Sequence, residues 1–238
     1  MSVYDPPRSF DDACGRLGLE LEAAERDRLA AYLELLLETN KRFNLTAIKD
    51  PAEAWQRHIL DSLSLLPFVA ESRSVIDVGS GGGLPGIPLA CVLPELPITL
   101  VEATGKKARF LATCASELGL GRVEVVTDRA ETAGQGIKWR GRYDVAVARA
   151  VGPLNVLLEL TMPFVRVGGR VLAMKGRRLD EELRDAGDAL MVLGQGEIEV
   201  YEALPGLERD AVIVEVAKRA ATPKQYPRRP GELKTNPL

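Results

Sequence analysis

The sequence predicts an α/β fold built around a doubly wound, largely parallel β-sheet. From residue 74 to residue 193, short apolar runs alternate with segments of helical periodicity, an order that produces parallel strands connected by helices. The first apolar run leads directly into a cluster of glycines at 79–86. In open α/β sheets, ligands bind outside the carboxyl ends of the strands, where such turns lie. We therefore expect a ligand site at that edge.

Length and composition suit one sizeable α/β domain with an appendage, or at most two small domains. Of the 238 residues, 46% are hydrophobic and 27% are charged, which is typical of a globular protein rather than a disordered one. No uncharged apolar run reaches the ~20 residues that a bilayer span needs, and the N-terminus has no apolar signal segment. We predict a cytoplasmic, monomeric protein without a membrane segment.

The cysteines and the single histidine argue against a metal site. Cys14, Cys91 and Cys114 are odd in number and lack the spacing of metal ligands. Reduced thiols in a cytosolic protein are the simplest interpretation. A serine hydrolase that uses histidine is still compatible with this composition, but its histidine would have to be His58.

Helical periodicity dominates the chain before residue 70. Leu29, Leu33 and Leu36 recur at helical spacing, which predicts an amphipathic helix from residue 22 to about residue 40. A second helix is predicted from Pro51, since proline is tolerated in the first helical turn, through Leu66. We assign residues 1–70 to an N-terminal helical segment packed on the main domain.

The main domain is predicted to span residues 71–221 and to alternate strands with helices. A turn at Gly168 and Gly169 precedes the fifth strand, and the last two strands form a closing pair. Residues 222–238 are predicted to form a basic, proline-rich, irregular tail. The predicted strands are 74–78, 98–102, 123–126, 143–148, 170–174, 198–201 and 211–217, and the predicted helices are 87–93, 106–118, 155–165 and 179–193.

The glycine loop is the strongest functional signal. Gly79, Gly81 and Gly83 follow a strand that ends near Asp77, and glycines allow positive φ angles and close approach of a ligand to the backbone. The spacing of Gly81, Gly83 and Gly86 also matches the dinucleotide fingerprint, so an NAD-binding oxidoreductase is an alternative. Glycines that merely turn the chain are a second alternative.

Two carboxylates distinguish the ligands that such a loop could hold. Asp77 would repel a pyrophosphate, but it could accept a hydrogen bond from the ammonium of an amino acid. Glu102 closes the next strand, where a carboxylate can accept both ribose hydroxyls of an adenosine. Together these residues predict S-adenosylmethionine, and we include Ala103 and Thr104 in its site.

The later strand ends add charged residues to the same edge. The sequence Asp-Arg-Ala-Glu at 128–131 would border the adenine, although an acid at a strand end is also a common helix cap. Arg149 ends the fourth strand, and Lys175, Arg177 and Arg178 follow the fifth. Arg149 faces the expected pocket, and the three cations after the fifth strand could contact phosphate. The alternatives are an ordinary salt bridge for Arg149 and an exposed loop for Arg177 and Arg178.

Charge is unevenly distributed along the chain. Residues 1–40 carry nine acids and four bases, a net charge of −5, whereas residues 217–238 carry six bases and one acid, a net charge of +5. The basic tail predicts a polyanionic partner, with a stacking role for Tyr226. A solvated tail and a tail packed onto the domain are the competing interpretations. The predicted RNA contacts in the tail are Lys224, Tyr226, Arg228 and Arg229.

An ordered set of motifs runs from residue 43 to residue 231. The motifs are Asn-Leu-Thr at 44–46, His-Ile-Leu-Asp-Ser at 58–62, Asp-Val-Gly-Ser-Gly-Gly-Gly-Leu-Pro-Gly at 77–86, Asp-Arg-Ala-Glu at 128–131, Ala-Arg-Ala-Val at 148–151 and Tyr-Pro-Arg-Arg-Pro-Gly at 226–231. This set resembles one protein family, the glucose-inhibited division protein B family of bacterial 16S ribosomal RNA methyltransferases. The resemblance implies a Rossmann-like class I methyltransferase fold that uses S-adenosylmethionine, with a seven-stranded sheet whose last strand is antiparallel.

The resemblance also implies cofactor contacts and a substrate. It places cofactor contacts at Gly79, Leu84, Ala130, Glu131 and Arg149. Leu84 stands where the family usually has Phe, so aromatic stacking on the adenosine is lost, and glycine replaces the usual Ala at position 82. The implied reaction is methylation of guanine N7 in the helix-18 (530) loop of 16S ribosomal RNA, within naked RNA or the small ribosomal subunit.

The chemistry of guanine N7 sets what the protein must supply. N7 carries a free lone pair, so it can attack a sulfonium methyl group in line without a general base, and positioning is the main task. We hypothesise that Arg149 or Lys175 binds O6 or a flanking phosphate and leaves N7 open. His58 and Asp61 share one helical face, which favours a local hydrogen bond that fixes the helix, whereas the resemblance implies that this face borders the substrate pocket. The rivals are the oxidoreductase, a non-catalytic RNA-binding assembly factor and a small-molecule methyltransferase.

Overall fold

A computed structural model describes residues 2–176, 179–207 and 211–238. Two predicted RNA contacts, Arg177 and Arg178, therefore lie outside the described residues. No helix in the described ranges is both long enough and apolar enough to cross a bilayer.

A seven-stranded sheet forms the centre of the fold. Its order is β3-β2-β1-β4-β5-β7-β6, with β1 to β5 parallel and β7 antiparallel to both of its neighbours, which confirms the predicted sheet. The order reverses at β1, which lies between β2 and β4, so the loop after β1 opens at the switch point where such sheets bind ligands. The strands are β1 Val75–Val78, β2 Ile98–Val101, β3 Val123–Val126, β4 Tyr143–Arg149, β5 Val165–Lys175, β6 Glu197–Glu202 and β7 Val212–Ala217.

Helices cover both faces of the sheet. A π-helical segment, Trp55–Leu60, joins α3 to α4 without a break, so the second predicted N-terminal helix is present with a wider turn at its centre. The helices are α1 Arg8–Leu17, α2 Ala23–Asn40, α3 Pro51–Ala54, α4 Asp61–Leu63, α5 Leu66–Val69, α6 Gly86–Val92, α7 Gly105–Glu117, α8 Ala130–Gln135, α9 Leu154–Thr161, α10 Leu179–Asp185, α11 Gly187–Gly194 and α12 Glu232–Thr235.

Three local predictions were wrong. The predicted helix at 155–165 ends at Thr161, and the predicted helix at 179–193 is interrupted at Ala186, where α10 gives way to α11. Gly168 and Gly169 form an irregularity inside β5 rather than a turn before it. Gly168 has a φ of 80°, its amide donates to the Lys218 carbonyl, and the Gly169 carbonyl accepts from the Lys218 amide.

The N-terminal helices belong to the core on one face of the sheet. Phe10 and Trp55 pack with their ring centroids 4.6 Å apart, in the same buried cluster as Ile87 of α6 and Leu111 of α7. A second cluster on the other face contains Phe164 and residues of α9 and α11. Residues 1–70 therefore contribute directly to the framework that supports the first strand-end loop.

The C-terminal tail is packed onto the domain, as one of the competing interpretations proposed. The Arg140 guanidinium donates to the carbonyls of Thr222, Pro223 and Tyr226. Arg228 donates to both carboxylate oxygens of Glu159, which is 1% exposed. The predictions that Tyr226 stacks on RNA and that Arg228 contacts RNA are therefore corrected, because Tyr226 is only 8% exposed and Arg228 already neutralises a buried acid.

Removing Glu159 is expected to destabilise the protein. Breaking one partner of a buried ion pair costs about 3–5 kcal/mol, so the Glu159→Ala variant should lose on the order of 3 kcal/mol of unfolding free energy, measured by urea denaturation. The control is Glu197→Ala, which removes an exposed pair with Arg219 and should change the urea midpoint little. An equal midpoint for Glu159→Ala and wild type would contradict the assigned role of the pair.

Candidate active site

The loop after β1 has the backbone geometry that its glycines predicted. Gly79, Gly81 and Gly83 have φ angles of 76°, 57° and 99°, which side-chain-bearing residues rarely adopt. A Cβ atom on Gly79 would lie 3.0 Å from Val151 Cγ2, so the loop also packs closely against the turn after β4. The loop therefore presents a bare backbone at the switch point of the sheet.

Asp77 lies fully buried beneath this loop. Its Oδ2 atom accepts a hydrogen bond of 3.0 Å from the Gly86 amide at the start of α6, so the carboxyl group fixes the end of the loop. Burial raises the pKa of Asp77 to about 7. Among the described residues, Oδ1 has no hydrogen-bond partner and is also buried. Contact of Asp77 with the ammonium group of a cofactor stays a prediction.

Glu102 holds the loop from the end of β2. Its Oε2 accepts from the Gly81 amide at 3.0 Å, and its Oε1 accepts from the Thr104 amide at 2.7 Å. Each carboxylate oxygen has two lone pairs, so both atoms can accept a further hydroxyl donor. Glu102 therefore fixes the loop, and its contact with ribose hydroxyls stays a prediction.

The other predicted cofactor residues lie along the same edge. Leu84 is half-buried against the core cluster that contains the N-terminal helices. Ala130 begins α8, and Glu131 follows it and lines a cavity of about 580 Å³ that the tail residues Pro227 and Arg229 close from the other side. The packed tail therefore borders the predicted adenine side of the site.

Arg149 links the end of β4 to the N-terminal helices. Its Nη2 donates to the Arg57 carbonyl at 2.5 Å and lies 3.5 Å from Asp61 Oδ2. The next residue, Ala150, has a φ of 56°, a strained conformation for a residue with a side chain. This turn sends the side chain of Val151 towards Gly79 and leaves Arg149 at the sheet edge.

The structure brings together three of the four residues predicted to border the substrate. Asp61, Arg149 and Lys175 line one cavity of about 430 Å³. The Lys175 ammonium donates to the Gly152 carbonyl at 2.6 Å and to Glu182 at 2.5 Å, and its side chain is only 8% exposed. A phosphate contact by Lys175 would therefore require a change of partner.

His58 does not border that cavity. Its Nε2 lies 2.6 Å from the Thr46 hydroxyl, and its Nδ1 lies 3.1 Å from the Arg57 carbonyl. Burial, and then the nearby charge of Arg149, lowers the pKa of His58 to about 4, so its ring is neutral at pH 7. The histidine links two of the sequence motifs, 44–46 and 58–62, through its contact with Thr46. Its predicted role as a pocket-bordering group is therefore corrected to a structural one, as a buried residue that holds these two segments together.

The His58 pKa predicts a pH-dependent stability difference. Unfolded His58 binds a proton below pH 6.5 and the folded ring only below about pH 4, so in this window the unfolded state binds more protons and stability falls with falling pH. The wild type should lose its advantage over His58→Gln between pH 6.5 and 4, by on the order of 2–3 kcal/mol in urea unfolding. Buried Asp77 acts in the opposite direction, but it is common to both proteins and cancels in the difference. A difference that does not vary with pH would contradict the prediction.

Two supporting residues were missed from the sequence. The buried Tyr32 hydroxyl donates to the Gly82 carbonyl at 2.7 Å, so α2 braces the glycine loop directly. The side-chain Oδ1 of Asn40 accepts from the backbone amides of Leu45 and Thr46, and its Nδ2 donates to the Thr46 carbonyl. These bonds shape the turn before α3. Tyr32 lies on the apolar stripe of α2, where its spacing indicates core packing only. A polar residue at the end of a helix, such as Asn40, was the available signal.

Comparison with known proteins identifies the family. A family model described as "rRNA small subunit methyltransferase G" matches residues 25–209. The chain belongs to this family. A protein named ribosomal RNA small subunit methyltransferase G from Sorangium cellulosum is 44% identical over 227 residues, which covers 94% of this chain and 92% of the relative. One with the same name from Alkaliphilus metalliredigens is 41% identical over 230 residues, covering 95% of this chain and 96% of the relative. The resemblance inferred from the motifs is confirmed.

Solved structures with lower identity confirm the methyltransferase fold. An O-methyltransferase from Bacillus cereus, solved as a complex with SAH, superposes with a TM-score of 0.59 at 19% identity and covers 88% of this chain and 97% of that one. A putative O-methyltransferase from Klebsiella pneumoniae also has a TM-score of 0.59, at 15% identity, and covers 89% of this chain and 96% of that one.

Proposed function

We propose that this chain transfers the methyl group of S-adenosylmethionine to N7 of a guanine in the helix-18 loop of small-subunit ribosomal RNA. The observation that carries the proposal is the position of the Glu102-fixed glycine loop beside the cavity of Asp61, Arg149 and Lys175, in a chain of the small-subunit ribosomal RNA methyltransferase G family. The loop suits an unphosphorylated nucleoside, and the cavity suits a nucleotide.

The residues present fit S-adenosylmethionine better than a dinucleotide. Two acids, Asp77 and Glu102, lie under and beside the loop, where a pyrophosphate would be repelled and where ribose hydroxyls and an ammonium find acceptors. When bound, S-adenosylmethionine supplies a methyl group on a positively charged sulfur. We infer that Glu102 orients the ribose, that Leu84 packs on the adenosine, and that the Gly79 backbone contacts the amino-acid end.

The cavity residues would position the guanine rather than deprotonate it. N7 needs no base, and His58 is buried and bonded to Thr46, so this chain's only histidine is not required for proton transfer. Each cation at the cavity is accompanied by a carboxylate, Arg149 by Asp61 and Lys175 by Glu182. As positive charge develops on the guanine ring, these carboxylates offset the repulsion that unaccompanied cations would exert. Arg149, or Lys175 after it exchanges one of its present partners, Gly152 or Glu182, can then hold O6 or a phosphate without blocking N7.

Four further features belong to the proposal. The reaction needs no metal ion, so activity should persist in a chelator such as EDTA. We also propose that the chain acts as a monomer and in the cytoplasm, where its ribosomal substrate resides. In the proposed division of the chain, residues 71–221 hold the cofactor, residues 1–70 complete the substrate side, and residues 222–238 close the adenine side, with Lys224 and Arg229 exposed for RNA.

Transfer of a labelled methyl group tests the proposal. Purified protein is incubated with radiolabelled S-adenosylmethionine and, separately, with naked small-subunit RNA, intact small subunits and large-subunit RNA. The expected result is label in one of the small-subunit substrates only. Thermal shift by S-adenosylmethionine but not by NAD would separate the proposal from an oxidoreductase. Binding of RNA without label transfer to any substrate would instead indicate an assembly factor.

A further inference from the structure

A basic segment, residues 41–49, and a cavity beside it lie near the carboxyl edge of the sheet, outside the cavity of Arg149 and Lys175. Within the connection between α2 and α3, residues 41–49 contain Lys41, Arg42 and Lys49. Asp50, which follows them, is an acid whose side chain accepts from the Glu53 amide at the start of α3. Together with the end of α2 and the N-terminus of the chain, this connection encloses a cavity of about 550 Å³, within the size range of small-ligand sites. Its lining includes Tyr4, Asn40, Lys41, Asn44, Lys49 and Pro51.

This basic connection is fixed next to the glycine loop. A Cβ atom on Gly82 would lie 3.5 Å from the Leu45 carbonyl oxygen, so residue 45 abuts the loop that follows β1. Thr46 bonds His58, and the neighbouring Arg57 carbonyl accepts from Arg149 at the end of β4. The connection is therefore tied at both sides to the elements that form the proposed active site.

The cations on this connection are available to solvent. The Lys41 side chain is 68% exposed and shares Glu38 with the Tyr4 hydroxyl. Lys49 is exposed, and within the ranges that the structure describes no carboxylate forms an ion pair with it. Residues 38–50 carry three cations against two acids, Glu38 and Asp50, a net charge of +1 beside the site, and exposed lysines on such a surface suit phosphate groups as point charges.

We propose that the 41–49 connection binds the phosphate backbone of RNA nucleotides that flank the target guanine, with Lys41 and Lys49 as the phosphate contacts. The inference rests on the proposed function, since it names a second contact of the same substrate. The cavity gives a flanking nucleotide a place to lie, and the lysines hold its phosphates. This surface supplies affinity, whereas the cavity of Arg149 and Lys175 supplies positioning of the reacting base.

The test compares two double variants that remove the same charge from opposite edges of the sheet. Lys41→Gln/Lys49→Gln changes the proposed contact. Arg122→Gln/Arg142→Gln is the matched control, because these residues directly precede the parallel strands β3 and β4 and so lie at the amino edge. Binding of small-subunit RNA is measured for the wild type and both variants across a salt series, together with kcat, KM for RNA and the Kd for S-adenosylmethionine.

The expected result is specific to RNA capture. Each lost phosphate contact should reduce the slope of log K against log salt by about 0.7–0.9, so the Lys41/Lys49 variant should show a slope lower by about 1.5 and an RNA KM raised roughly tenfold or more at low salt. Its kcat at saturating RNA and its Kd for S-adenosylmethionine should match the wild type, as should its thermal midpoint.

Three results would overturn the inference. A wild-type salt slope in the Lys41/Lys49 variant, or an equal change in the Arg122/Arg142 control, would show that the connection makes no particular contact with phosphates. A fall in kcat with unchanged KM would assign these lysines to the chemical step instead. In each of these cases methyl transfer by the wild type to small-subunit RNA leaves the proposed function standing. If the wild type neither binds nor methylates that RNA, the proposed function and the inference are both overturned.

Discussion

The Glu102→Ala variant is expected to bind S-adenosylmethionine about 100-fold more weakly than the wild type while remaining folded. The substitution removes two charge-assisted hydrogen bonds, to the amides of Gly81 and Thr104, and the acceptor proposed for the ribose. The two loop hydrogen bonds exist with and without cofactor, so the loss in binding comes from the two proposed ribose hydrogen bonds. At about 1.5 kcal/mol each, they amount to about 3 kcal/mol, which corresponds to roughly a 100-fold change in Kd. Isothermal titration calorimetry measures the effect directly.

Two comparisons sharpen this prediction. Glu102→Gln retains one acceptor oxygen but directs an amide NH2 group at a backbone N–H, so its Kd should lie between those of the wild type and the alanine variant. Glu124→Ala removes an exposed acid of the neighbouring β3 that pairs with Lys138, and its Kd should be unchanged. Wild-type affinity in Glu102→Ala would show that the loop does not depend on this carboxylate.

Removal of the Arg149 guanidinium is expected to slow methyl transfer by about 100-fold or more at saturating cofactor and RNA. The guanidinium joins β4 to the Arg57 carbonyl and Asp61, and loss of one positioning donor in an active site typically costs a factor of 10²–10³ in kcat. Arg149→Lys should rescue little, because the single nitrogen that reaches both acceptors, Nη2, is held by a planar guanidinium whose position a flexible ammonium does not reproduce. Single-turnover rates of Arg149→Ala and Arg149→Lys measure both effects.

The matched control is Arg142→Ala. Arg142 is exposed and directly precedes the same strand, at the opposite edge of the sheet. Its removal should leave the single-turnover rate within a factor of about two, in keeping with the small effects of surface substitutions. A wild-type rate in Arg149→Ala, or an equal decrease in Arg142→Ala, would contradict the placement of Arg149 at the reacting base.

The strands and the glycine loop could be predicted because their signals are local. Four-residue apolar runs such as Val75–Val78 and Ile98–Val101 are too short for helices and therefore indicate strands. The glycines after β1 adopt the positive φ angles that their spacing in the sequence predicted. The ends of parallel strands share one edge, which is why Glu102 and Arg149 could be assigned to one site from the sequence. The antiparallel last strand came from the family resemblance and not from periodicity.

The partners of charged residues could not be predicted, because they are distant in sequence. Arg228 has the sequence context of a cation in a basic tail, yet its partner is Glu159 of α9, 69 residues away in the chain. The sequence left two interpretations of His58, a local hydrogen bond and, from the family resemblance, a position at the pocket. The wider π-helical turn and the Thr46 hydroxyl hold it in the interior. Such errors arise where tertiary contacts, rather than local sequence patterns, decide whether a side chain is buried.

Mapping of the modified atom tests directly whether the protein methylates guanine N7 in the helix-18 loop. Small-subunit RNA is treated with the protein and S-adenosylmethionine, digested to nucleosides for mass spectrometry, and in parallel cleaved at 7-methylguanosine after borohydride reduction and aniline treatment. The wild-type protein is expected to produce one new 7-methylguanosine, located in the helix-18 loop. The Glu102→Ala and Arg149→Ala variants are expected to produce none under the same conditions. Methylation of another atom or of a guanine elsewhere in the RNA, or an unmodified RNA beside an active control enzyme, would contradict the proposed function.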